Sequence, residues 1–239
     1  MIVLASADDQ KKILDFCANS AVGCRIAANL ASYGTDNLFS QFWLIIQENS
    51  VCGIINMLDG AVSVLGANEQ AYLEAAQFCS LLSGVSEIVT QQNGSGAIMQ
   101  RTKGFNLQIK TDVRDGCASD IYSILQSDKS CTLKICQKMY VDFSHRLRHD
   151  TLLCAAVYMD NQPVCCACAH IANDDALITA VTTVPKFRNM GFATAAVTYL
   201  CEKLKTRNIF LMCNNNLTTF YKKMGFTTIG GYTIDSNIL

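Results

Sequence analysis

An arginine and a glycine lie three residues apart where the sequence changes from strand-like to helix-like composition. The stretch AVTTVPKFRNMGFATAAV is rich in valine and threonine, breaks at Pro185 and Arg188, and passes Gly191 before a helical pattern begins. The first turn of a helix offers unpaired amide N–H groups at the positive end of its dipole. A glycine there lets an anion approach the backbone, and Arg188 adds a positive charge. These features predict a phosphate-binding corner; the alternative is a capped turn with a solvated arginine.

A family resemblance extends this interpretation. The run Pro185-x-x-Arg188-x-x-Gly191-x-Ala193 resembles the acetyl-CoA pyrophosphate loop of the GCN5-related N-acetyltransferases (GNAT family). Further along, Asn214, Tyr221 and Gly225-Phe226 resemble that family's Asn…Tyr…Gly-Phe signature at its usual spacing. The resemblance covers 164–226 well and the rest of the second half loosely.

The resemblance implies roles for particular residues. The pantetheine arm of acetyl-CoA would pair with the strand backbone at Val181, Thr182 and Thr183, as an added strand does, and the pyrophosphate would rest on the amides of Arg188 to Ala193. Asn214 would contact the cofactor near its amide groups, and Tyr221 would protonate the departing thiolate, a role that suits a nearby hydroxyl. The alternative for Tyr221 is a half-buried tyrosine whose ring packs on the core. The implied cofactor-binding residues are Val181, Thr182, Thr183, Arg188, Asn189, Met190, Gly191, Phe192, Ala193, Thr194 and Asn214.

The sequence departs from the family in its general base. Many members use a carboxylate on the motif strand or the next strand, but the stretches ALITAVTTV and NIFLMC contain none. His170 could serve as the base, although a hydrogen-bonded structural histidine is the favoured interpretation. The polar run SHRLRHD at 144–150 could line an acceptor site or hold an anion, but we favour a solvated loop. An acceptor amine that arrives neutral would need no strong base.

Three elements must position these residues. Ala176 to Val184 is rich in β-branched residues and ends before Pro185, which predicts a strand. Thr194 to Lys205 repeats its apolar residues at helical spacing. Ile209 to Cys213 reads as a buried strand, so the corner joins a strand to a helix that returns to a second strand.

The chain also contains an internal repeat. Asn93, Gln100 and Gly104-Phe105 precede Asn214, Tyr221 and Gly225-Phe226 by 121 residues. Upstream, SVCGIINMLDGAVSVLGA aligns with PVCCACAHIANDDALITAVTT, and each reads as strand, turn and strand; Ala61 falls on Ala176, an offset of 115. The offset therefore changes by six residues, and the six missing from the first half fall at about 182–187. The first half thus lacks the corner and has Gln100 at the tyrosine position.

The repeat predicts two copies of one mixed α/β unit. Each copy is predicted to have a strand and helix, two hairpin strands, a helix, an apolar strand, a short helix ending at Gly-Phe, and a last strand. We predict tandem GNAT-like (acyl-CoA N-acyltransferase) domains with mixed sheets: a degenerate domain at 1–108 and a catalytic domain binding acetyl-CoA at 109–239.

Composition excludes several classes of function. The formal net charge is −1, which favours neither nucleic acid nor an anionic membrane as partner. The start, MIVLASADD, does not read as a signal peptide, and no apolar stretch approaches a membrane span. Thirteen cysteines, many in apolar runs, predict reduced core residues in a cytoplasmic protein. Cys165, Cys166 and Cys168 alternate between strand faces, so we predict no metal.

The sequence therefore predicts an acetyl-CoA-dependent N-acetyltransferase with Tyr221 as its catalytic residue. Its acceptor is expected to be a primary amine of a small molecule or peptide, and the chain a monomer or homodimer. The competing prediction is a non-catalytic acyl-CoA-binding sensor or scaffold, which the missing carboxylate favours.

Overall fold

The computed structural model describes residues 1–105, 108, 111–128 and 131–236. The chain forms two compact units. The first contains Met1–Met99, Met212–Thr218 and the chain from Thr228 onward, and the second contains Gln100–Leu211 and Thr219–Thr227. The predicted domain boundary falls between residues 108 and 109, and residue 109 lies outside the described residues. The domain ranges 1–108 and 109–239 therefore stay a prediction.

The first part of the chain alternates strands with helices. Its elements are β1 (Ile2–Leu4), α1 (Gln10–Cys17), α2 (Ala21–Tyr33), β2 (Ser40–Gln47), β3 (Ser50–Leu58), β4 (Ala61–Gly66), α3 (Glu69–Cys79), β5 (Glu87–Thr90) and β6 (Gly96–Arg101). In the first unit, β1 to β4 pair antiparallel in sequence order, and β5 runs parallel to β4.

The second part of the chain repeats this order. Its elements are β7 (Val113–Asp115), α4 (Ala118–Gln126), α5 (Leu133–Arg148), β8 (Leu152–Met159), β9 (Gln162–Ala172), β10 (Asp175–Thr183), α6 (Phe192–Lys203), β11 (Asn208–Cys213), α7 (Thr218–Lys222) and β12 (Phe226–Asp235). In the second unit, β7 to β10 pair antiparallel, and β11 runs parallel to β10. The predicted repeat is thus present as a repeated strand topology.

The last strand joins the first unit. Residues 233–235 of β12 pair antiparallel with 88–90 of β5, and Thr233 Oγ1 donates a hydrogen bond to the carbonyl of Gln92 at 3.1 Å. The first unit therefore uses chain from both ends of the sequence.

Each unit has its own apolar core. In the first unit α3 packs its small residues Ala71, Ala75 and Cys79 against buried residues of β2 and β4, among them Trp43. In the second unit, Ile121 of α4 and Phe143 of α5 pack on the cysteine-rich strands. Cys154, Cys166 and Cys168 of these strands are each at most 1% exposed.

Most of the cysteines lie in the core, as the apolar runs around them predict. Eleven of the thirteen are buried, the exceptions being Cys117 and Cys131. Burial raises the pKa of Cys165 to about 11, so this thiol stays protonated near neutral pH. Across the part of the chain that the structure describes, no group of three or more histidine, cysteine, aspartate or glutamate residues is arranged to hold a metal ion.

Three sequence predictions about local structure are wrong. The short helix expected to end at Gly104-Phe105 is instead the strand β6, which contains Gln100. The polar run 144–150, expected as a solvated loop, continues α5 through Arg148. Each copy also has a second helix, α2 or α5, and an extra strand, β2 or β8, before its hairpin. Within the polar run, the whole side chain of Arg146 is buried and its Nε lies 2.7 Å from Oδ1 of Asp142 one turn earlier, which favours continued helix over a solvated loop.

Candidate functional site

The strand that leads into the predicted corner changes its pairing halfway along. The parallel pairing of β10 with β11 runs from Asp175 opposite Asn208 to Ile178 opposite Leu211 and stops there. On its other side β10 continues along β9, but the register shifts between Thr179 and Thr182. Ala180 inside this shift has a φ of 49°, so β10 carries a β-bulge with one extra residue.

The bulge separates two environments on one strand. Residues 175–178 are buried, whereas residues 179–183, which include Val181, Thr182 and Thr183, are only half-buried. Thr182 and Thr183 keep their partners on β9, while the pairing with β11 has ended. Along the described strands, the predicted pantetheine-binding residues therefore lie where one backbone edge has lost its neighbour.

The corner itself occupies residues 184–191. Pro185–Phe187 form one turn of 3₁₀ helix, Arg188 is extended, and Gly191 is the N-cap of α6 with a φ of 82°. An added Cβ on Gly191 would meet no atom within 4 Å, so the space beside this glycine is open. Asn189 also has a positive φ, of 64°, which an asparagine tolerates better than most residues.

The first amides of α6 have no hydrogen-bond acceptor within the helix. The Ala195 amide donates to the Gly191 carbonyl at 3.0 Å and closes the first turn. The amides of Phe192, Ala193 and Thr194 precede it and have no acceptor within the helix. Because the N-cap residue is glycine, it has no side chain to accept from them. This arrangement suits an anion better than a self-capped turn.

The side chain of Arg188 contacts two other groups of the protein, which the sequence does not predict. Its side chain is half-exposed, and Nε donates to the carbonyl of Thr183 at 3.2 Å. Nη2 lies 3.4 Å from Oδ2 of Asp128, which follows α4. The sequence offers no signal for Asp128, since 60 residues separate it from Arg188. The ion pair balances part of the positive charge at the corner.

Tyr221 lies on the short helix α7, as the sequence predicts. Its side chain is only 6% exposed, and its ring makes edge contacts with Phe220 and Phe226 at centroid distances of 5.0 and 6.0 Å. Gly225 has a φ of 80°, and a Cβ there would approach Phe105 within 2.3 Å, so the Gly-Phe pair needs glycine on both grounds. The role of Tyr221 as proton donor stays a prediction.

Asn214 comes directly after β11. It is exposed, its carbonyl accepts from the Leu217 amide at 2.9 Å, and its side chain does not cap the turn that follows. Asn214 belongs to the first compact unit, whereas Val181–Thr183, Arg188–Thr194 and Tyr221 belong to the second.

His170, considered as a base, and Arg146, from the polar run considered as an acceptor contact, both pack against other residues of the second unit. His170 lies on β9 opposite Leu152 and Leu177, with its ring 6.2 Å from Phe143 in an edge contact. Arg146 is 1% exposed, and its Nε lies 2.7 Å from Oδ1 of Asp142, one turn earlier in α5. The second unit therefore uses part of the polar run 144–150 inside its core.

One carboxylate does occur within the observed bounds of the motif strand. Asp175 begins β10, is 5% exposed, and accepts a hydrogen bond from Nδ2 of Asn208 at 2.9 Å. It is five residues before the bulge and is engaged with the start of β11. No carboxylate occupies the half-buried part of β10 at 179–183.

Comparison with family models finds a match in the second part of the chain. Residues 118–226 match the model of the Acetyltransferase (GNAT) family. This part of the chain is a GNAT domain, and the chain as a whole has the fold of a tandem pair of GNAT-like domains. No curated protein sequence matches the chain.

Solved structures match the whole chain in fold at low identity. A tandem GNAT protein from the clavulanic acid biosynthesis pathway is 10% identical with a TM-score of 0.60, and the alignment covers 98% of each chain. A GNAT-family acetyltransferase from Colwellia psychrerythraea is 10% identical at a TM-score of 0.57, covering 98% of this chain and 97% of that chain. A Drosophila protein is also 10% identical, with the same coverage and a TM-score of 0.66. At this identity the likeness shows the fold alone.

Within the described ranges, no helix combines the length and apolar composition that a bilayer span requires.

Proposed function

We propose that this chain is an N-acetyltransferase that uses acetyl-CoA to acetylate a primary amine of a small molecule or peptide. The observation that carries the proposal is the continuous path from the bulge in β10 to the glycine-capped start of α6. Among the described strands, the edge of β10 at 181–183 has no partner on the β11 side, the corner leads from it to the glycine-capped N-terminus of α6, and the GNAT domain match covers both.

The residues of the second unit fit the chemistry of this cofactor. Acetyl-CoA would supply a thioester whose acyl carbon accepts the amine. The half-buried backbone of Val181–Thr183 would bind the amide-bearing arm as an added strand does. The amides of the corner from Arg188 to Ala193, with that of Thr194, would hold the pyrophosphate, and the guanidinium of Arg188 would add charge. Because a Cβ at Gly191 meets nothing, the protein itself leaves room for the anion.

Two further roles complete the proposal. Tyr221 would donate its hydroxyl proton to the leaving thiolate, with its ring held by Phe220 and Phe226. Asn214, exposed after β11, would bind the cofactor through its side-chain amide. Without a carboxylate at 179–183, the acceptor amine would enter in its neutral form. We further propose a cytoplasmic monomer or homodimer that binds neither nucleic acid nor membranes, which the near-zero net charge supports.

The missing carboxylate is also the observation that favours a second function. A chain that binds acyl-CoA without transferring the acyl group would serve as a sensor or scaffold. Such a chain would need the corner and the strand edge, but no base and no proton donor.

One experiment separates the two functions. Acetyl-CoA is mixed with the purified full-length chain and a panel of primary amines, and free thiol is measured over time against amine-free controls. An acetyltransferase gives amine-dependent thiol release with at least one acceptor class. If calorimetry shows coenzyme A binding while no amine raises thiol release above the control, the binding function replaces the enzyme.

The same titration counts the sites. We expect one equivalent of coenzyme A per chain, because the first unit lacks the open corner. Two equivalents would show that the first unit also binds the cofactor.

A further inference from the structure

A pocket separate from the corner lies at the opposite end of α6. Its volume is about 280 Å³, and its lining includes the last turn of α6 and the start of β11. Ten residues of helix separate Gly191 from Cys201 in the lining, a rise of about 15 Å. The charged residues of the lining are Arg101, Lys103, Glu202, Lys205 and Arg207. Four cationic side chains therefore surround this space with a single carboxylate.

Arg101 is the buried member of this set. It is 8% exposed, and its guanidinium carbon lies 5.0 Å from the centre of the Phe105 ring and 5.6 Å from that of Phe226. Nη2 donates to the carbonyl of Phe105 at 2.8 Å, whereas Nη1 is buried and makes no hydrogen bond. The guanidinium of Arg101 thus lies against two aromatic rings. One of its donor groups, Nη1, has no acceptor among the described residues.

The second unit contains a direct comparison for this buried charge. Arg146 is also buried, but its charge is balanced by Asp142 at 2.7 Å. Arg101 has no such carboxylate, and among the described residues Lys103, Lys205 and Arg207 form no ion pair either. A buried charge is costly unless it is paired. The counter-charge for Arg101 is therefore missing from the described protein atoms.

The thiol of Cys201, which also lines the pocket, does not supply the missing negative charge. Burial raises the pKa of the Cys201 thiol to about 11, although Arg101 opposes this shift, so the thiol is neutral near pH 7. Glu202 is the only carboxylate against the four cations.

We propose that this pocket binds a phosphate group, either as free phosphate or as part of a small phosphate monoester. A phosphate dianion matches the excess positive charge, and its oxygens can accept from the fixed guanidinium of Arg101. Lys205 is exposed and Arg207 is half-buried at the rim, where they attract the anion. This site is separate from the α6 N-terminus, and the proposal does not depend on acetyl transfer.

The test is a calorimetric titration of the full-length chain with inorganic phosphate, then glucose 6-phosphate, at an ionic strength held constant with NaCl. We expect saturable binding of one equivalent. The double variant Lys205→Gln/Arg207→Gln should weaken this binding at least about tenfold, because it removes two of the four positive charges around the anion. Tighter binding of the monoester or of free phosphate identifies the natural source.

Two control variants separate the pocket from other basic sites. Lys11→Gln/Lys134→Gln removes the same charge from exposed positions elsewhere, and Arg188→Gln removes the arginine of the corner. Lys11→Gln/Lys134→Gln should bind phosphate as the unaltered chain does, whereas Arg188→Gln reports any phosphate held at the corner instead of the pocket. The proposal fails if no binding saturates, if Lys205→Gln/Arg207→Gln binds normally, or if Arg188→Gln is the variant that loses binding.

Discussion

Each unit connects a strand to a helix at the same place in its topology. The protein's own side chains close the first of these corners, whereas the second stays open. In the first unit two residues, 67 and 68, connect β4 to α3, whereas eight residues, 184–191, connect β10 to α6 in the second. The difference of six agrees with the gap predicted from the internal repeat. The short corner places Asn68 at the N-cap of α3, where its side chain accepts from the Ala71 amide at 2.8 Å.

The first corner is closed by the chain's own side chains. Tyr72 of α3 packs over Gly66 at the end of β4, where an added Cβ would lie 3.1 Å from the tyrosine ring. The hydroxyl of Tyr72 also donates to the carbonyl of Gln91, directly after β5, at 3.4 Å. The second corner has a glycine cap, an open space and a strand edge without a neighbour. A helix N-terminus thus becomes a ligand site only where the protein leaves its amides unused.

The largest expected effect tests whether the second unit is catalytic. Tyr221→Phe removes the hydroxyl but keeps the ring between Phe220 and Phe226, so turnover should fall by about 10²–10⁴ while coenzyme A affinity changes little. Thiol release and calorimetry on one preparation measure both quantities. Tyr232→Phe, at another buried tyrosine, is the matched control and should keep normal turnover. Near-normal turnover in Tyr221→Phe would leave Tyr221 as a packing residue.

The next effect tests whether the open corner binds the cofactor. Gly191→Val places a branched side chain where the anion must approach, and the loss of two charged hydrogen bonds would weaken coenzyme A binding about 100-fold or more. Gly84→Val is the control, because Gly84 has a similar φ of 76° and also has open space around its Cβ position.

Both glycine variants carry a similar backbone penalty of about 1–3 kcal/mol. Urea unfolding should therefore show similar destabilisation, whereas calorimetry should show lost affinity for Gly191→Val alone. Unchanged coenzyme A affinity in folded Gly191→Val would remove the corner from the site.

A smaller effect tests whether the first corner is structural. Asn68→Ala deletes the side-chain cap of α3, which should reduce the free energy of unfolding by about 1 kcal/mol. Coenzyme A affinity should stay unchanged. Urea unfolding and calorimetry measure the two, and Asn68→Asp, which can still cap the helix, should retain the stability. A loss of cofactor affinity in Asn68→Ala would contradict the distinction between the corners.

The smallest effect concerns the ion pair at the second corner. Asp128→Asn removes the carboxylate charge near Arg188, so coenzyme A affinity should rise by no more than about fivefold, as an exposed pair is worth about 0–1 kcal/mol. Calorimetric titration at two salt concentrations checks the size and the expected weakening by salt. A decrease in affinity would instead mean that Asp128 orients Arg188 for the cofactor.

Much of the fold around the site is predictable because its signals are local. The strand predicted at 176–184 is observed at 175–183, and the helix predicted at 194–205 is observed at 192–203. β-branched runs, helical spacing and a proline or glycine at the corner act over a few residues, so they are readable without tertiary contacts. The repeat and the missing corner of the first half are also visible in the sequence.

Other features depend on packing between distant segments. The bulge at Ala180 lies within an unbroken run of strand-forming residues, and only its register against β9 reveals the extra residue. β6 is a strand although its repeat partner was predicted to be helical, because tertiary pairing outweighs local similarity. The last turn of α5 likewise has a polar sequence, yet burial of Arg146 beside Asp142 keeps it helical.

The sequence by itself therefore determined the family resemblance, the duplicated α/β order and the position of the glycine-capped corner, since each depends on residue types at short spacing. Tertiary structure alone decided which strand edge lost its neighbour, that Arg188 is paired with Asp128, and that Arg101 is buried with no ion-pair partner among the described residues. These features join residues that are far apart along the chain, and their energies depend on burial and on charges brought close only by folding.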